Sequence, residues 1–257
     1  MSVKALFDLQ GKVALITGSS RGIGLQMAEA LGEMGCKLAL TARKADELAV
    51  ARAHLAALGI PVFTVVNDLS ITDGIAGMVD QVVAHFGDID ILVNNAGATW
   101  SAPAAEYPDA AWRKVMGLNV DAVFFLSREV ARRCMIPRNT GKIINIASVA
   151  GLRGSAVNVS TIAYHTSKGA VVNFTRALAS EWGRHNINVN AICPGFFPSK
   201  MSAGLLEKVG DAVVARAPLQ RIGGPEDLKG VVVFLASEAS RHITGQSIAV
   251  DGGISAV

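Results

Sequence analysis

Tyr164 and Lys168 are the residues of this sequence whose types and spacing are best suited to chemistry. They lie four positions apart within residues 163–170, so on a helix both side chains occupy one face, one turn apart. A phenol is a poor proton donor near neutral pH because its reference pKa is about 10, and a neighbouring ammonium lowers that pKa by favouring the phenolate. The pair therefore predicts a general acid/base made from tyrosine without a metal. The spacing alone is a weak signal, since it arises by chance in many helices.

A glycine-rich turn at residues 17–24 is the second chemical signal. It follows a predicted strand and opens a predicted helix, where glycines permit a tight turn and a close approach of the backbone to a pyrophosphate. The free N–H groups and the dipole of the helix N-terminus favour the anion. A turn with a purely structural role is the alternative. The predicted dinucleotide contacts in the turn are Gly18, Ser20, Arg21, Gly22, Ile23 and Gly24.

The end of the second predicted strand indicates which dinucleotide fits. A site for NAD commonly ends this strand with a carboxylate that binds the ribose hydroxyls, whereas here Arg43 and Lys44 follow at once. Arg43 can bind a 2′-phosphate with paired N–H donors, and Arg21 can assist from the turn. For Lys44 a solvated position at a helix start is the favoured alternative. The pattern predicts NADPH/NADP in preference to NAD.

The elements that must position these groups are short apolar runs alternating with helical stretches. Such strands predict a parallel sheet covered on both faces, and right-handed crossovers give an α/β, doubly wound Rossmann fold of about seven strands. Nothing divides the chain, so we expect one domain over residues 1–257, with an excursion at about 195–224. The predicted strands are 13–17, 37–41, 62–66, 89–93, 142–146 and 188–192, with helices at about 23–34, 45–57, 72–86, 111–135 and from the Tyr164 segment to about 184.

Composition excludes several classes of protein. Hydrophobic residues make up 51% of the 257 residues and charged residues 18%, which permits a large core and excludes a disordered chain. A net charge of +3 and 5% aromatic residues do not indicate a nucleic-acid-binding surface. Three scattered cysteines and five histidines without a ligand pattern predict buried thiols in a reducing compartment and no metal. No run reaches the roughly 18 apolar residues of a membrane span, so we expect a cytoplasmic protein.

The chain resembles the short-chain dehydrogenases/reductases over nearly its whole length, in particular the branch of 3-oxoacyl-acyl-carrier-protein reductases and related bacterial carbonyl reductases. The resemblance rests on motifs that occur in family order and at near-family spacing. The matching residues are Thr17, Gly18, Gly22–Gly24, Asp68, Leu69, Asn94–Gly97, Asn119, Ser148, Tyr164, Lys168, Pro194, Gly195 and Asp251–Gly253.

The resemblance implies roles at these positions. Tyr164 would protonate the substrate carbonyl oxygen as hydride arrives from the nicotinamide, and Ser148 would donate a hydrogen bond to the same oxygen. Lys168 would lower the pKa of Tyr164 and hold the nicotinamide ribose, and Asn119 would hold a water in a proton relay that reaches Lys168. Asp68 would bind the adenine amino group. Further implied cofactor contacts are Leu69, Asn95, Ala96, Gly97, Pro194, Gly195 and Ser199. The resemblance also implies a homotetramer or a homodimer.

Two departures from the family pattern concern serines. Ser148 precedes Tyr164 by sixteen residues, slightly more than the usual gap, and the excess falls in residues 151–161. Loops accept such insertions at small entropic cost, so Ser148 remains the expected donor, with Ser155 and Ser160 as alternatives. Ser199 stands where the family pattern has threonine, and it keeps the hydroxyl that would meet the nicotinamide carboxamide.

Several motif residues also have a structural interpretation. Asn119 can form hydrogen bonds within its own helix, and Asn94 and Asn95 can tie the end of the fourth strand to its neighbours. Residues 251–253 are more typical of a turn after the last strand than of a catalytic site.

The substrate side is predicted from the loops that follow the fourth, fifth and sixth strands. These residues are mainly apolar, which favours NADPH-dependent reduction of a 3-oxoacyl thioester or similar apolar ketone to a secondary alcohol. The alternatives are a polyol or sugar-acid dehydrogenase similar to gluconate 5-dehydrogenase, and a non-catalytic dinucleotide-binding sensor. Arg153 can meet an anionic group or face solvent, and Leu205 and Leu206 can simply be the buried face of a short helix. The predicted lining is Thr99, Trp100, Leu152, Arg153, Phe196, Phe197, Met201, Leu205 and Leu206.

Overall fold

Parallel strands form one sheet in the computed structural model of the chain, which describes residues 1–154, 159–200 and 202–257. The strands are β1 (Val13–Thr17), β2 (Lys37–Ala42), β3 (Val62–Val66), β4 (Ile91–Asn94), β5 (Gly141–Ile146), β6 (Ile187–Pro194) and β7 (Ser247–Val250). Their order across the sheet is β3-β2-β1-β4-β5-β6-β7, and all neighbours pair in parallel. The predicted α/β doubly wound Rossmann fold of about seven strands is confirmed.

Helices connect the strands and cover the sheet. In chain order they are α1 (Val3–Leu6), α2 (Gly22–Glu33), α3 (Ala45–Ala57), α4 (Ile75–Phe86), α5 (Asp109–Met116), α6 (Ala122–Val130), α7 (Ile136–Arg138), α8 (Ile162–Trp182), α9 (Ala203–Arg216) and α10 (Lys229–Ala236). None of them, within the ranges that the structure describes, is long and apolar enough to cross a lipid bilayer.

Two hydrophobic cores lie on opposite faces of the sheet, because successive side chains of a strand point to opposite sides. Ile16 and Leu40 belong to the core that contains residues of α2, α3 and α10. Leu15 and Ala39, each one position earlier, belong to the core that contains residues of α4, α6 and α8. Strands buried on both faces must be apolar along their whole length, which explains why the sequence pattern predicted them without alternation.

The helix predicted at 111–135 is longer and less regular than expected. Helices α5, α6 and α7 follow one another with π-helical turns at Gly117–Asp121 and Ala131–Met135. A π-helical turn inserts an extra residue into the helical repeat and rotates the side chains that follow it. The first of these turns contains Asn119.

Other predicted elements differ at their ends: β6 extends to Pro194, and a 3-10 turn at Thr72–Gly74 precedes α4. Strand β4 begins at Ile91, two residues later than predicted. The Asp90 carboxylate just before it accepts a hydrogen bond from the Val13 N–H at 2.9 Å, which ties this residue to the start of β1. The stretch at 195–224 contains α9, a helix of 14 residues.

Candidate active site

A cleft of about 770 Å³ opens at the carboxyl ends of the strands. Strand order reverses between β1 and β4, and in open parallel sheets this is where ligands bind. Residues that follow β1, β2 and β3 line one half of the cleft, and residues that follow β5 and β6 line the other. We call these the nucleotide half and the substrate half.

The glycine turn is held against the end of β4 by side-chain hydrogen bonds. The Thr17 hydroxyl accepts bonds from the Asn95 and Ala96 N–H groups, both at 2.9 Å, and the Asn95 amide donates to the Gly18 carbonyl at 3.0 Å. Gly24 lies so close that a Cβ would overlap both the Asn95 amide and the Gly18 carbonyl. The turn is therefore fixed before any ligand binds, and its backbone is open to the cleft.

Asn94 and Asn95 connect the end of β4 to neighbouring segments, as the structural interpretation of these two residues predicted. The Asn94 amide donates to Ser127 Oγ at 3.0 Å and to Asn145 Oδ1 at 2.9 Å, inside the core. Asn95 lines the cleft and braces the turn, whereas Asn94 is only 4% exposed and does not reach the cleft.

The cations expected to meet a 2′-phosphate all line the cleft, but they differ in their contacts. Arg21 Nη1 donates to Glu47 Oε1 at 2.5 Å, and Lys44 Nζ lies 3.3 Å from the same oxygen. Arg43 is exposed and has no hydrogen-bond or ion-pair partner in the described ranges. Lys44 stands at the start of α3 with 59% of its side chain exposed, as the solvated interpretation expects, and it also forms an ion pair with Glu47.

The chemistry of this half fits a dinucleotide carrying a 2′-phosphate. Three cations lie at the ends of β1 and β2, and the hydroxyl of Thr41, at the end of β2, is buried against the cleft without a hydrogen-bond partner in the described chain. A buried unpaired hydroxyl is costly and indicates a missing ligand or water.

Asp68 lies after β3 on the same side of the cleft. Burial raises the pKa of its carboxyl, but hydrogen bonds from the Ser70 hydroxyl and N–H, together with the charge of Arg43, outweigh burial, so the net shift is downward. Both Ser70 groups bond to Oδ1, at 2.7 and 3.0 Å. The ionised Oδ2 is left as an acceptor, which is what an adenine amino group would require.

Tyr164, Lys168 and Ser148 meet at the centre of the cleft. The first two lie one turn apart on α8, and Ser148 follows β5. The Lys168 ammonium lies 5.6 Å from the centre of the tyrosine ring and donates to the Ile146 carbonyl at 2.7 Å. Ser148 lies close enough to the Tyr164 phenol to act on its pKa, which it lowers. The predicted pair and its predicted serine are thus brought together by two separate elements.

The pKa of Tyr164 differs in direction from the expectation. Burial raises the pKa of the phenol above its ordinary value, and Ser148 offsets this only in part. Burial also lowers the pKa of Lys168 to about 8, because the ammonium has lost its water. Lys168 lies beside the ring and directs a hydrogen bond at Ile146, so it does not produce the expected lowering in the unliganded chain. A phenol with a raised pKa keeps its proton at neutral pH.

Asn119 is fixed by contacts outside its own helix. Its Oδ1 accepts from the Ala98 N–H at 2.8 Å, and its Nδ2 donates to the Ala98 carbonyl at 3.0 Å and to Ser167 Oγ at 2.9 Å. The side chain is 1% exposed and is not among the described residues that line the cleft. Gly97 separates it from Lys168: a Cβ on Gly97 would lie 3.3 Å from Asn119 Oδ1 and 3.8 Å from Lys168 Nζ. A side chain at residue 97 would therefore take up part of the space between Asn119 and Lys168 that glycine leaves open.

The alternative serines fall in different places. Ser160 is exposed and is not among the described residues that line the cleft, and Ser155 lies outside the described residues. Ser199 lines the cleft, but its hydroxyl is engaged with Ser202, whose N–H donates to Ser199 Oγ at 3.1 Å. Ser148, 7% exposed, lines the cleft near Tyr164 and is the serine whose position suits polarisation of a carbonyl.

The substrate half agrees with the predicted lining only in part. Thr99, Arg153, Phe196 and Phe197 line the cleft, whereas Trp100, Leu152 and Leu206 are not among the described residues that do so. Trp100 differs because its loop turns outward: its carbonyl accepts a bond from the Tyr107 hydroxyl at 3.3 Å, and 47% of the residue is exposed. Met201 and the Leu205 side chain lie outside what the structure describes.

Several lining residues were missed by the sequence analysis. Glu47 could have been suspected because it stands three positions after Lys44 at a helix start, and His165 stands inside the Tyr164–Lys168 segment itself. Lys200 and Arg216 come from the excursion, where no motif marks them.

The remaining motif residues at the end of the sheet have structural contacts. Gly195 packs directly on Asp251, where a Cβ would come within 2.8 Å of the Asp251 Cα. The Asp251 carboxylate accepts the Gly253 and Ser255 N–H groups at 2.9 and 2.8 Å, which is the geometry of a turn. Among the described residues, no group of three or more His, Cys, Asp or Glu is arranged to hold a metal.

Comparison with known proteins places this site among characterised relatives. A family model described as enoyl-(acyl carrier protein) reductase matches residues 18–255. Gluconate 5-dehydrogenase of Gluconobacter oxydans is 41% identical over 99% of this chain and 98% of its own length. A rhamnolipid-biosynthesis 3-oxoacyl-[acyl-carrier-protein] reductase of Pseudomonas aeruginosa is 38% identical over 96% and 97% of the two chains.

A solved structure also matches over its full length. The crystal structure of a gluconate 5-dehydrogenase from Burkholderia cenocepacia, in complex with NADP and tartrate, superposes with a TM-score of 0.93 at 35% identity and covers 100% of both chains. The motifs, the fold, the family model and these relatives agree, and the chain belongs to the short-chain dehydrogenase/reductase family of NAD(P)-dependent oxidoreductases.

Proposed function

We propose that this protein interconverts a ketone and a secondary alcohol of a sugar acid, using NADP(H). This is the alternative given by the sequence analysis, and it replaces the apolar 3-oxoacyl substrate as the leading hypothesis. Several relatives with sugar-acid names support it, including gluconate 5-dehydrogenase and 2-dehydro-3-deoxy-D-gluconate 5-dehydrogenase.

The observation that carries the proposal is the sign of the charges that line the substrate half. The described lysine, arginine, aspartate and glutamate side chains that line this half are all basic: Arg153, Lys168, Lys200 and Arg216. Apart from Lys168, which binds the Ile146 carbonyl, none of them is committed to the catalytic centre, and none is paired with a carboxylate in the described ranges. Unpaired cations around a partly enclosed cleft attract anions. A sugar acid is such an anion, because it carries a carboxylate on the same carbon chain as the reacting hydroxyl group.

Arg153 is the cation best placed to orient such a carboxylate. Its Nη1 donates to the Ile254 carbonyl at 2.7 Å, which holds the side chain against the C-terminal segment. The guanidinium has five N–H donors in a planar fork, so the rest remain available for paired bonds to a carboxylate. A fixed fork loses less entropy on binding than a free arginine.

The chain's own residues account for the proton chemistry. Tyr164 is protonated near neutral pH, so its hydroxyl has a proton to give to the oxygen that becomes the alcohol, and the same proton returns to Tyr164 in the oxidation. Ser148 donates a hydrogen bond to the same oxygen and polarises it. Lys168 and Asn119 lie on either side of Gly97, where they can return a proton to Tyr164 through a bridging water. The dinucleotide, when bound, supplies or accepts the hydride.

The choice of NADP(H) follows from the nucleotide half. Arg43 is exposed at the end of β2 and has no hydrogen-bond or ion-pair partner among the described residues, at a position where a carboxylate would be expected for NAD. The Burkholderia gluconate 5-dehydrogenase was solved with NADP. A homotetramer remains a prediction.

A 3-oxoacyl thioester is the second candidate. Phe196, Phe197 and Val213 also line the substrate half, and they could contact an acyl chain. The reductase of Pseudomonas aeruginosa supports this alternative.

The experiment compares three ketones under identical conditions with NADPH. They are 5-keto-D-gluconate, the matching neutral ketose in which a primary alcohol replaces the carboxylate, and an acetoacetyl thioester. We expect kcat/KM for the sugar acid to exceed that for the neutral ketose by at least about tenfold, the worth of one charge-assisted contact. Preference for the thioester would reject the proposal in favour of the second candidate. Turnover of none of the three, with NADPH still bound, would support a sensor.

A further inference from the structure

Glu47 gathers three donors of the nucleotide half onto one carboxylate. Its Oε1 accepts from Arg21 at 2.5 Å and lies 3.3 Å from Lys44 Nζ, and its Oε2 accepts from the Ser20 hydroxyl at 3.2 Å. All four residues line the cleft. Arg21 and Ser20 come from the glycine turn, whereas Lys44 and Glu47 come from the start of α3, so the contact joins the two segments that border the nucleotide.

The donors held by Glu47 are those that an exposed phosphate monoester would need. A phosphate accepts hydrogen bonds from arginine, lysine and serine, as a carboxylate does, but with three oxygens and up to two charges. The Glu47 carboxylate thus already supplies the negative charge that these donors bind. A 2′-phosphate that binds Arg21 and Ser20 must either displace this carboxylate or lie next to its negative charge.

Arg43 differs from Arg21 in its contacts. It lines the same half of the cleft and is exposed, and within the described chain it forms no hydrogen bond or ion pair. Of the two arginines expected to bind a 2′-phosphate, one is therefore free and the other is already engaged. The free arginine favours NADP(H), and the carboxylate that engages the other opposes it.

We propose that Glu47 is a specificity-determining residue whose carboxylate competes with the 2′-phosphate for Arg21 and Ser20 and so limits the preference for NADP(H) over NAD(H). The inference rests on the proposed use of NADP(H). It predicts that an uncharged residue at position 47 releases the two donors and strengthens binding of 2′-phosphorylated nucleotides alone.

The test is calorimetric titration of the intact protein with adenosine 2′,5′-bisphosphate and with 5′-AMP, which differ only in the 2′-phosphate. Glu47→Gln keeps the size of the side chain and removes its charge. Asp46→Asn is the matched control, since Asp46 carries the same charge in the same first turn of α3, is exposed, and has no partner among the described residues. At low ionic strength we expect Glu47→Gln to tighten binding of the bisphosphate about tenfold, and 5′-AMP binding and Asp46→Asn to change about twofold or less.

Three outcomes would overturn the inference. Weaker binding of the bisphosphate by Glu47→Gln would mean that Glu47 holds Arg21 in its binding position. Equal gains for both nucleotides, or an equal gain in Asp46→Asn, would reduce the effect to general charge. Failure of the unaltered protein to prefer the bisphosphate over 5′-AMP would instead contradict the proposed use of NADP(H), so the two failures are distinguishable.

Discussion

The glycine turn after β1 and the loops after β5 and β6 border the same cleft but are fixed in different ways. The turn is bound to the sheet by the Thr17 hydroxyl and the Asn95 amide. Its cation Arg21 is paired with Glu47, as is Lys44 at the start of α3. On the substrate half, Arg153 donates to the Ile254 backbone carbonyl, and Arg153, Lys200 and Arg216 have no ion-pair partner in the described chain. The nucleotide half is thus built around a ligand common to the whole family, whereas the substrate half keeps unpaired charge for a ligand that varies between its members.

The largest expected effect lies where the halves meet, at Tyr164. Tyr164→Phe should lower kcat about a thousandfold, because the proton donor is lost while the ring that packs beside Lys168 is kept. The dissociation constant for NADPH should change little. Such a result would show that the substitution affects proton transfer and not binding in the nucleotide half. Tyr107→Phe, at the only other tyrosine of the chain and outside the described cleft lining, is the control. A variant that keeps a tenth of the parent kcat would remove Tyr164 from the acid role.

Gly24→Ala tests whether the nucleotide half is as closely fitted as its hydrogen bonds indicate. A methyl group there meets the Asn95 amide and the Gly18 carbonyl, so the variant should lose about 2 kcal/mol of unfolding free energy and bind adenosine 2′,5′-bisphosphate at least about tenfold less tightly. Gly77→Ala, in α4 with no atom within 4 Å of the new methyl, should be neutral or stabilising by up to about 1 kcal/mol. Denaturant titration and calorimetry measure both quantities, and equal behaviour of the two variants would contradict the close fit.

Arg153→Gln tests the substrate half. Loss of the charge should raise KM for 5-keto-D-gluconate about tenfold and leave KM for the neutral ketose unchanged, because only the anion uses the guanidinium fork. Glutamine retains an N–H that can reach the Ile254 carbonyl, which limits structural damage. Arg52→Gln, at an exposed arginine of α3 outside the described lining, controls for overall charge. An equal rise for both ketones would mean that Arg153 supports the loop and does not recognise a carboxylate.

The smallest effect concerns the buried ammonium of Lys168. Its pKa in the folded chain is about 8, below the ordinary value of 10.5, so between pH 8 and 10 the unfolded chain binds more protons than the folded chain. Unfolding free energy should therefore rise with pH across this window, by up to about 1 kcal/mol per pH unit. Lys168→Met should abolish that part of the slope in denaturant titrations at pH 8, 9 and 10. A slope that survives the substitution would assign the effect to other groups.

Much of the nucleotide half could be predicted because its contacts are local or involve backbone. The glycine turn, Arg21 and Arg43 are a few residues from the strands that carry them, and the apolar strands themselves reveal the sheet. The substrate half could not be predicted as well, because Lys200, Arg216 and His165 approach the cleft from separate segments with no common spacing. Trp100 is the opposite case, a residue that was predicted to line the cleft and does not. Its position after β4 indicated the cleft, but the path of the loop exposes it to solvent.

The sequence by itself determined the family, the doubly wound α/β fold and the acid/base pair. Hydrophobic periodicity, glycine spacing and the spacing of Tyr164 and Lys168 are properties of residues close together in the chain. Only the tertiary structure decided that burial raises the pKa of Tyr164, that Glu47 engages Arg21, and that the cations lining the substrate half have no carboxylate partner among the described residues. The reason is physical: desolvation and charge pairing depend on distances between residues far apart in the chain, and folding alone sets those distances.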